Sequence, residues 1–332
     1  MDLQPTDDNT GFVSRQVGVS ITESAKVPTL IENASSDTKR RFVEFFTANI
    51  CNRNTRKAYL RAIDRFCAWC DDRGLQRLTD IEPTMIAFYI EEMADGYGKA
   101  SIKQHLAAIR MLFDYFVTGG IMRVNPALSV RGPKLVMTKG KTPVLQPADA
   151  RHLLDSIPTD KIGGIRDRAL ISLMLYTFAR IGAAVAMNVE DVYQNGRRYW
   201  VRLHEKGGRY HEMPLNHHAE EAMIAYLYAG ELWNQTGTPL FRSLDRRRNL
   251  SENRMQTEYA RWMVKRRSKK AGLGETICNH TMRATGITAY MMAGGTLEKA
   301  QQMAAHASSK TTNLYNRTND VVSLDEVERI LI

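Results

Sequence analysis

The stretch that most constrains the fold is NPALSVRGPKLVMTKGKTPVLQP, residues 125–147. It is rich in proline, carries Gly132 and Gly140, and keeps little helical or strand periodicity. Proline fixes φ and removes a backbone donor, so such a stretch does not continue a helix or a central strand. We predict an interdomain linker at 125–147, and a chain of 332 residues is long enough for a domain on each side.

The part before the linker has two regions. Residues 1–36 are polar, poor in aromatics and without periodicity, which is typical of a flexible tail. From residue 37 onward, apolar side chains recur at helical spacing in successive segments. These segments end at glycines or begin with residues typical of a first helical turn, such as Pro83. We predict a compact all-α domain at 37–124.

The part after the linker, residues 148–332, predicts a mixed domain. The apolar run ALISLMLYTFA, residues 169–179, indicates a buried helix ending at Arg180. Asn195-Gly196 is a strong hairpin-turn signal, and the alternating residues after it predict a small antiparallel sheet with Lys206 at a loop tip. We expect helices from there to the end, and hence a fold that is mainly α with one small antiparallel β-sheet.

The last ten residues, SLDEVERILI, predict a terminal helix. Ser323 and Glu326 form a capping box. The apolar residues fall on one side of this helix, which covers either its own core or a neighbouring subunit: Leu324, Val327, Ile330 and Leu331.

Several classes of protein are disfavoured. The apolar run of 169–179 is shorter than the roughly 20 residues that span a bilayer. The N-terminus lacks the basic and apolar regions of a signal peptide, so we expect a cytoplasmic protein without a membrane partner. Cys67 and Cys70 form a C-x-x-C inside an amphipathic helical pattern, which favours packing cysteines over a metal site.

The charge distribution indicates a polyanionic partner. The net charge is +10, and residues 242–272 hold eleven Lys or Arg against three Asp or Glu. Each phosphate that such a surface neutralises releases counterions, so concentrated basic patches favour nucleic-acid binding. The candidate DNA-binding residues lie on a helix of the first domain, in the linker and in the basic region: Lys103, Gln104, Arg110; Arg131, Lys134, Lys139, Lys141; Arg261, Lys265, Arg266, Lys269 and Lys270.

A second group of residues lies at the ends and turns of the predicted elements. Each member has an ordinary structural explanation when taken singly. The group contains no carboxylate cluster of the kind that a metal-dependent nuclease needs, since Asp191 and Glu205-Lys206 lack the E-x-K spacing. Its members are Arg180, Lys206, His280, Arg283, His306 and Tyr315.

In order and spacing, this group resembles the signature of the tyrosine recombinases, the family of phage integrases, Xer recombinases and Cre. The matching segments are ARIG, HEKGG, HTMR and AAHASSKTTNLY. Arg180 and Arg283 are 103 residues apart, Arg283 and His306 are 23 apart, and His306 and Tyr315 are 9 apart. The resemblance extends from about residue 37 to 332 and implies a two-domain DNA clamp, with a helical core-binding domain and a catalytic domain.

The resemblance implies roles for the two arginines and the tyrosine. Arg180 and Arg283 would hold the non-bridging oxygens of the scissile phosphate by charge-assisted hydrogen bonds. They would also stabilise the charge of the pentavalent transition state. Tyr315 would be the nucleophile, forming a 3′-phosphotyrosyl bond and freeing a 5′-hydroxyl.

The other three residues would handle protons and hydrogen bonds. His280 is the candidate base, Lys206 the candidate acid for the 5′-oxygen, and His306 a hydrogen-bond donor to the phosphate. No metal or cofactor is expected, because the phosphotyrosine keeps the bond energy for rejoining. The family also implies specific double-stranded DNA sites, a homotetramer assembled through the C-terminal helix, and possible accessory DNA-bending proteins.

Two positions depart from the family pattern. Ala183 stands where an acidic residue usually follows the first arginine by three positions, and Ala305 replaces the common glycine before the second histidine. We expect the first change to reduce the rate or to be compensated elsewhere, and the second to be a minor packing change. A non-catalytic DNA-binding regulator and a type IB-like topoisomerase remain alternatives to a recombinase.

Overall fold

The computed structural model describes residues 28–135, 140, 142–205, 209–306 and 308–315. The chain divides at about residue 136 into two compact units, each with its own hydrophobic core. The architecture is mainly helical with small antiparallel sheets, as the sequence predicts.

The secondary structure of the first unit, in its described part, consists of helices alone. Aromatic side chains dominate its core, where Phe66 contacts the rings of Tyr89 and Phe113 edge to face. The helices are α1 (Thr29–Glu32), α2 (Ser36–Glu44), which continues as a π-helical turn (Phe45–Asn49), α3 (Arg53–Asp71), α4 (Pro83–Glu92) and α5 (Lys99–Thr118).

The edges of the first unit differ from the predicted boundaries. Within the predicted tail, Leu30 and Ile31 of α1 are buried in the core, because two consecutive apolar side chains are enough to attach a single helical turn. Within the predicted linker, Ala127 and Val130 belong to the same core, and Arg110 of α5 holds this segment by donating to their carbonyl oxygens. Leu145 joins the core of the second unit. The linker is thus anchored to a different core at each end.

The second unit combines helices with two small sheets. The core lies between α7, α9 and the three-stranded sheet. Its helices are α6 (Pro147–Asp155), α7 (Ile162–Thr177), α8 (Ile181–Ala186), α9 (His217–Ala229), α10 (Thr257–Lys270), α11 (Asn279–Met292), α12 (Leu297–Met303) and α13 (Ser309–Asn313). Its strands are β1 (Val192–Asn195), β2 (Arg198–Glu205), β3 (Arg209–Pro214), β4 (Arg242–Leu244) and β5 (Leu250–Arg254).

The predicted hairpins are confirmed. Strands β1, β2 and β3 form an antiparallel sheet in that order, and Gly196 adopts φ 63° in the turn between β1 and β2. Val201 pairs with Met213 in the β2–β3 ladder, which runs to Glu205. The prediction of helix alone after β3 was wrong, because β4 and β5 form a second hairpin. That hairpin is short and its strands carry charged residues, so it lacks the apolar alternation that would reveal it.

Arg180 does not end the apolar helix as predicted. Helix α7 ends at Thr177, Phe178 turns the chain at φ 56°, and Arg180 becomes the residue that caps α8. The left-handed residue redirects the backbone, so the Phe178 carbonyl and the Arg180 side chain both come to the site described below.

Helices α7 and α11 pack closely where Gly286 faces Leu175. A Cβ atom at Gly286 would lie 2.0 Å from the Leu175 carbonyl oxygen and 2.8 Å from the Phe178 ring. These distances are below any van der Waals contact, so glycine at this position sets the approach of the two helices.

We therefore expect Gly286→Ala to separate α7 from α11 and to lower the free energy of unfolding by about 1–3 kcal/mol, the usual cost of overpacking. The measurement is urea denaturation followed by circular dichroism. Gly182→Ala on α8 is the matched control, because a Cβ there meets no atom within 4 Å. Equal effects of the two substitutions would contradict the close approach.

Candidate active site

The centre of the site is a buried carboxylate between two arginines. Glu205, the last residue of β2, has a side chain that is 0% exposed. Its Oε2 lies 2.5 Å from Nη1 of Arg180, and its Oε1 accepts from the Arg180 backbone N–H at 3.2 Å. The same Oε1 lies 3.8 Å from Nη1 of Arg283. One carboxylate thus neutralises part of the charge of both guanidinium groups.

The two arginines differ in their access to solvent. The Arg283 side chain is 4% exposed and donates to the carbonyl oxygens of Phe178 and Ala304. Burial and the nearby Arg180 lower the pKa of Arg283 to about 10, whereas Glu205 opposes that shift. The Arg180 side chain is 34% exposed. Arg283 is therefore held at the buried base of the site, whereas Arg180 is the cation that solvent can reach.

His280 lies in the first turn of α11, three residues before Arg283. The helix begins with Cys278 as its N-cap, whose backbone N–H donates to the hydroxyl of Thr281 at 3.1 Å, as in a capping box. Burial, followed by the charges of Arg283 and Arg261, lowers the pKa of His280. The neutral imidazole that results can accept a proton.

The turn after α12 presents His306. Ala305 follows the helix with φ 45°, its N–H bonds to the Gln302 carbonyl at 3.0 Å, and the His306 N–H bonds to the Gln301 carbonyl at 3.1 Å. This is a Schellman turn, which favours glycine at the left-handed position. The expectation of a minor packing change at Ala305 therefore needs correction, because the cost of alanine there is conformational strain in the backbone.

Thr312 orients the His306 ring, and the sequence pattern did not identify it. Its hydroxyl lies 2.8 Å from Nδ1 of His306, and both residues are buried. Burial, then the charges of Arg283 and Arg180, lowers the pKa of His306 to about 3. Thr311, the residue before Thr312, is exposed instead.

Tyr315 stacks on His306. The ring centroids are 6.0 Å apart with an interplanar angle of 11°. The Tyr315 carbonyl oxygen accepts from the Thr288 hydroxyl of α11 at 3.0 Å. The tyrosine is partly buried, and it packs against the small apolar cluster that includes Phe178 and Met291. The ring is thus held on the same side of the unit as the two arginines.

The structure brings together five of the six predicted catalytic residues: Arg180, His280, Arg283, His306 and Tyr315. Lys206 lies outside the described residues, but it follows Glu205 directly in the chain. Sequence reasoning missed Glu205 and Thr312. The signal for Glu205 was present in the alternation of β2, where an acidic residue occupies an inward position.

The predicted DNA-binding residues have varied surroundings. Lys139 and Lys141 lie outside the described residues. Arg110 is engaged with backbone carbonyls, Arg266 lies over the Trp262 ring and near Asp167, and Lys269 pairs with Glu275. The remaining ones are exposed: Lys103, Gln104, Arg131, Lys134, Arg261, Lys265 and Lys270.

In the described part of the chain, no group of three His, Cys, Asp or Glu residues is placed to hold a metal ion. Cys67 and Cys70 are buried in the first core, and burial raises the pKa of the Cys70 thiol to about 12. None of the helices described for this chain has both the length and the hydropathy needed to cross a bilayer.

Comparisons with known proteins give one consistent result. Residues 143–321 match the phage integrase family, and residues 41–120 match the N-terminal SAM-like domain of phage integrases. The tyrosine recombinase XerC of Escherichia coli strain K12 is 26% identical over 258 residues, which cover 77% of this chain and 83% of XerC.

Two solved structures show the same fold. The XerH site-specific recombinase bound to palindromic difH matches with a TM-score of 0.68 at 19% identity, over 90% of this chain and 89% of that one. A lambda integrase tetramer bound to a Holliday junction matches with a TM-score of 0.64 at 18% identity, over 87% of this chain and 80% of that one.

We expect the buried neutral His306 to make stability depend on pH. Its folded pKa of about 3 lies below the unfolded value of about 6.5, so the unfolded state binds the extra proton between these values. The free energy of unfolding should fall as the pH is lowered from 6.5, and more steeply than in His306→Asn, by at most about 1.4 kcal/mol per pH unit.

Urea denaturation at a series of pH values measures this slope. His217→Asn is the control, since it removes an exposed histidine from α9. Parallel slopes for the wild type and His306→Asn would contradict the assignment.

Proposed function

Because the chain belongs to the phage integrase family of tyrosine recombinases, we propose that this DNA recombinase cuts and rejoins specific DNA sites through a 3′-phosphotyrosyl intermediate. The observation that supports this most is the placement of Tyr315 against His306, beside two arginines that share one buried carboxylate. A tyrosine that served packing alone would not need this cationic surround.

In the proposed first step, Arg180 and Arg283 bind the non-bridging oxygens of the scissile phosphate and stabilise the pentavalent transition state. The Tyr315 oxygen attacks phosphorus while its proton passes to the neutral His280. The bond from phosphorus to the 5′-oxygen breaks, and Lys206 supplies the proton that makes this oxygen a hydroxyl. Rejoining is the same sequence in reverse, with a 5′-hydroxyl as nucleophile.

His306 has a separate part in this proposal. A neutral imidazole whose Nδ1 accepts from the Thr312 hydroxyl carries its proton on Nε2, where it can donate to a phosphate oxygen. The low pKa of His306 keeps this tautomer available without a second positive charge. No metal ion or nucleotide enters the steps, because the phosphotyrosine conserves the energy of the broken bond.

The partner is double-stranded DNA at specific sites. The exposed cations Lys103, Arg131, Lys134, Arg261 and Lys265 are suited to phosphate contacts, which position a protein on a duplex without reading its sequence. The Arg110 guanidinium donates to carbonyl oxygens of its own unit. We therefore propose a smaller contribution to DNA binding for Arg110 than for its exposed neighbours. We also place the protein in the cytoplasm, as is expected for a DNA recombinase, with DNA-bending proteins as accessory factors.

We also propose a homotetramer in which the segment 323–332 of one subunit, which is predicted to be helical and lies outside the described residues, docks on the next subunit. The second unit has an apolar groove of about 1360 Å³ between α6, α7, α9 and α11, lined in part by Leu154, Leu175 and Tyr290. The apolar face of the terminal segment is suited to such a surface. The lambda integrase neighbour is a tetramer on a Holliday junction, which is consistent with this assembly.

The covalent intermediate gives the direct test. The DNA is a duplex selected from a random-sequence library by binding to the Tyr315→Phe variant, then nicked next to the cleavage position and incubated in EDTA. We expect the wild type to form an adduct that resists denaturing electrophoresis. Tyr315→Phe should lose it completely while it binds the same duplex with unchanged affinity, because only the attacking oxygen is removed.

The outcomes separate the alternatives. Absence of an adduct on a bound duplex would support a non-catalytic regulator. Relaxation of supercoiled plasmid lacking the selected site would favour a type IB-like topoisomerase. Free ends that require magnesium would indicate a metal-dependent nuclease.

For the assembly, we expect deletion of residues 323–332 to leave binding of one duplex intact and to abolish the complex of four subunits on two duplexes. Sedimentation velocity with a four-way junction measures this. The point variant Ile330→Asn, on the apolar face, should act in the same way, whereas Glu328→Asn on the polar face should not. A tetramer that survives both the deletion and Ile330→Asn would refute the role of this helix.

A further inference from the structure

We propose that Glu205 is the positioning residue that fixes the two active-site arginines, delivered from the strand that leads to Lys206 instead of from helix α8. The proposal rests on the recombinase function proposed above. In this proposal, the Glu205 side chain neutralises part of the charge of the arginine pair. It also anchors the hairpin of β2 and β3, which carries the candidate acid.

The first argument is the set of contacts. Glu205 receives the backbone N–H of Arg180 at 3.2 Å and its guanidinium at 2.5 Å, and the guanidinium of Arg283 lies 3.8 Å away. The backbone bond ties the carboxylate to the start of α8 as well as to the Arg180 side chain. A residue with these three contacts fixes the separation of the two cations, which has to match one phosphate.

The second argument is the position of Glu205 in the strand. Side chains of β2 alternate, and Val201 and Leu203 are inward-facing and 0% exposed. Glu205 occupies the next inward position, and the residue as a whole is only 4% exposed. An apolar side chain would be the cheaper choice there, because a buried carboxylate loses its hydration. The arginine pair compensates for that loss, so the charge has a function at this position.

The third argument comes from α8. Ala183 lies three residues after Arg180, so the two residues share one face of the helix. Ala183 is 7% exposed and has only a methyl group, so α8 sends no carboxylate toward Arg180 from this position. The anion that two neighbouring guanidinium groups need is supplied from β2 instead.

The arrangement has a consequence for the charge of the site. Two guanidinium groups and one carboxylate leave a single positive charge, which one phosphodiester can neutralise. Lys206 follows Glu205 directly in the chain, so the residue before the candidate acid is bonded to the phosphate-binding arginines.

The kinetic test uses the nicked selected duplex described above, at saturating concentration, with the full chain. Glu205→Gln keeps the volume of the side chain and removes its charge. We expect the rate of adduct formation to fall about 10²-fold, as for other losses of oriented electrostatic groups. Duplex affinity should change little, whereas the thermal midpoint should fall, because the two buried guanidinium groups lose their carboxylate; the rates are therefore compared at a temperature well below both midpoints. Glu212→Gln, on β3 of the same hairpin, is the matched control, since Glu212 pairs with Arg202 and Tyr210 at the surface.

Ala183→Glu tests whether the carboxylate of Glu205 on β2 takes the place of a carboxylate on α8. In the Glu205→Gln background it should restore at least about tenfold of the lost rate, because a carboxylate on α8 would reach Arg180 from the other side. Failure to restore any rate would overturn the claim that β2 substitutes for α8. A Glu205→Gln rate within twofold of the wild type, or a loss of rate that a parallel loss of duplex affinity accounts for in full, would overturn the positioning role.

A second measurement does not depend on catalysis. The urea midpoints of Glu205→Gln, Arg180→Gln and the double variant form a cycle, and we expect them to be clearly non-additive. Additive effects would overturn the pairing. A wild type that forms no adduct but shows this coupling would refute the proposed function and leave the Glu205–Arg180 pairing established.

Discussion

The site depends on the repulsion between two guanidinium groups and on the carboxylate that offsets it. Burial and then the charge of Arg180 lower the pKa of Arg283, and Glu205 opposes that shift. Burial makes the repulsion stronger, because water no longer screens it. The surrounding fold supplies further compensation in the form of the carbonyl oxygens of Phe178 and Ala304, which accept from Arg283.

Those carbonyl groups are available only because two turns adopt left-handed conformations. Phe178, at φ 56°, ends α7, and Ala305, at φ 45°, follows the Ala304 cap of α12. Neither is a glycine, so each turn stores backbone strain that the packing of the unit has to overcome. Gly286 contributes by letting α11 approach α7 closely enough for Arg283 to reach the Phe178 carbonyl. Strain and close packing are therefore part of the way the cation is held.

The sequence predicts what is local and periodic. The Asn195-Gly196 turn and the alternation along β2 are confirmed, since each depends on neighbouring residues alone. The spacing of the motifs and the family resemblance also identified the five residues that come together in the candidate active site. The pairing of Glu205 with Arg180 joins residues 25 positions apart, and no local pattern encodes it. The end of α7 before Arg180 was missed because an apolar run does not reveal a left-handed turn.

The same desolvation that makes the arginine pair costly prepares the histidines. Burial and the two guanidinium groups lower the pKa of both His280 and His306, so each imidazole is neutral at pH 7. One neutral ring can then accept a proton and the other can donate a hydrogen bond, without further positive charge in the site.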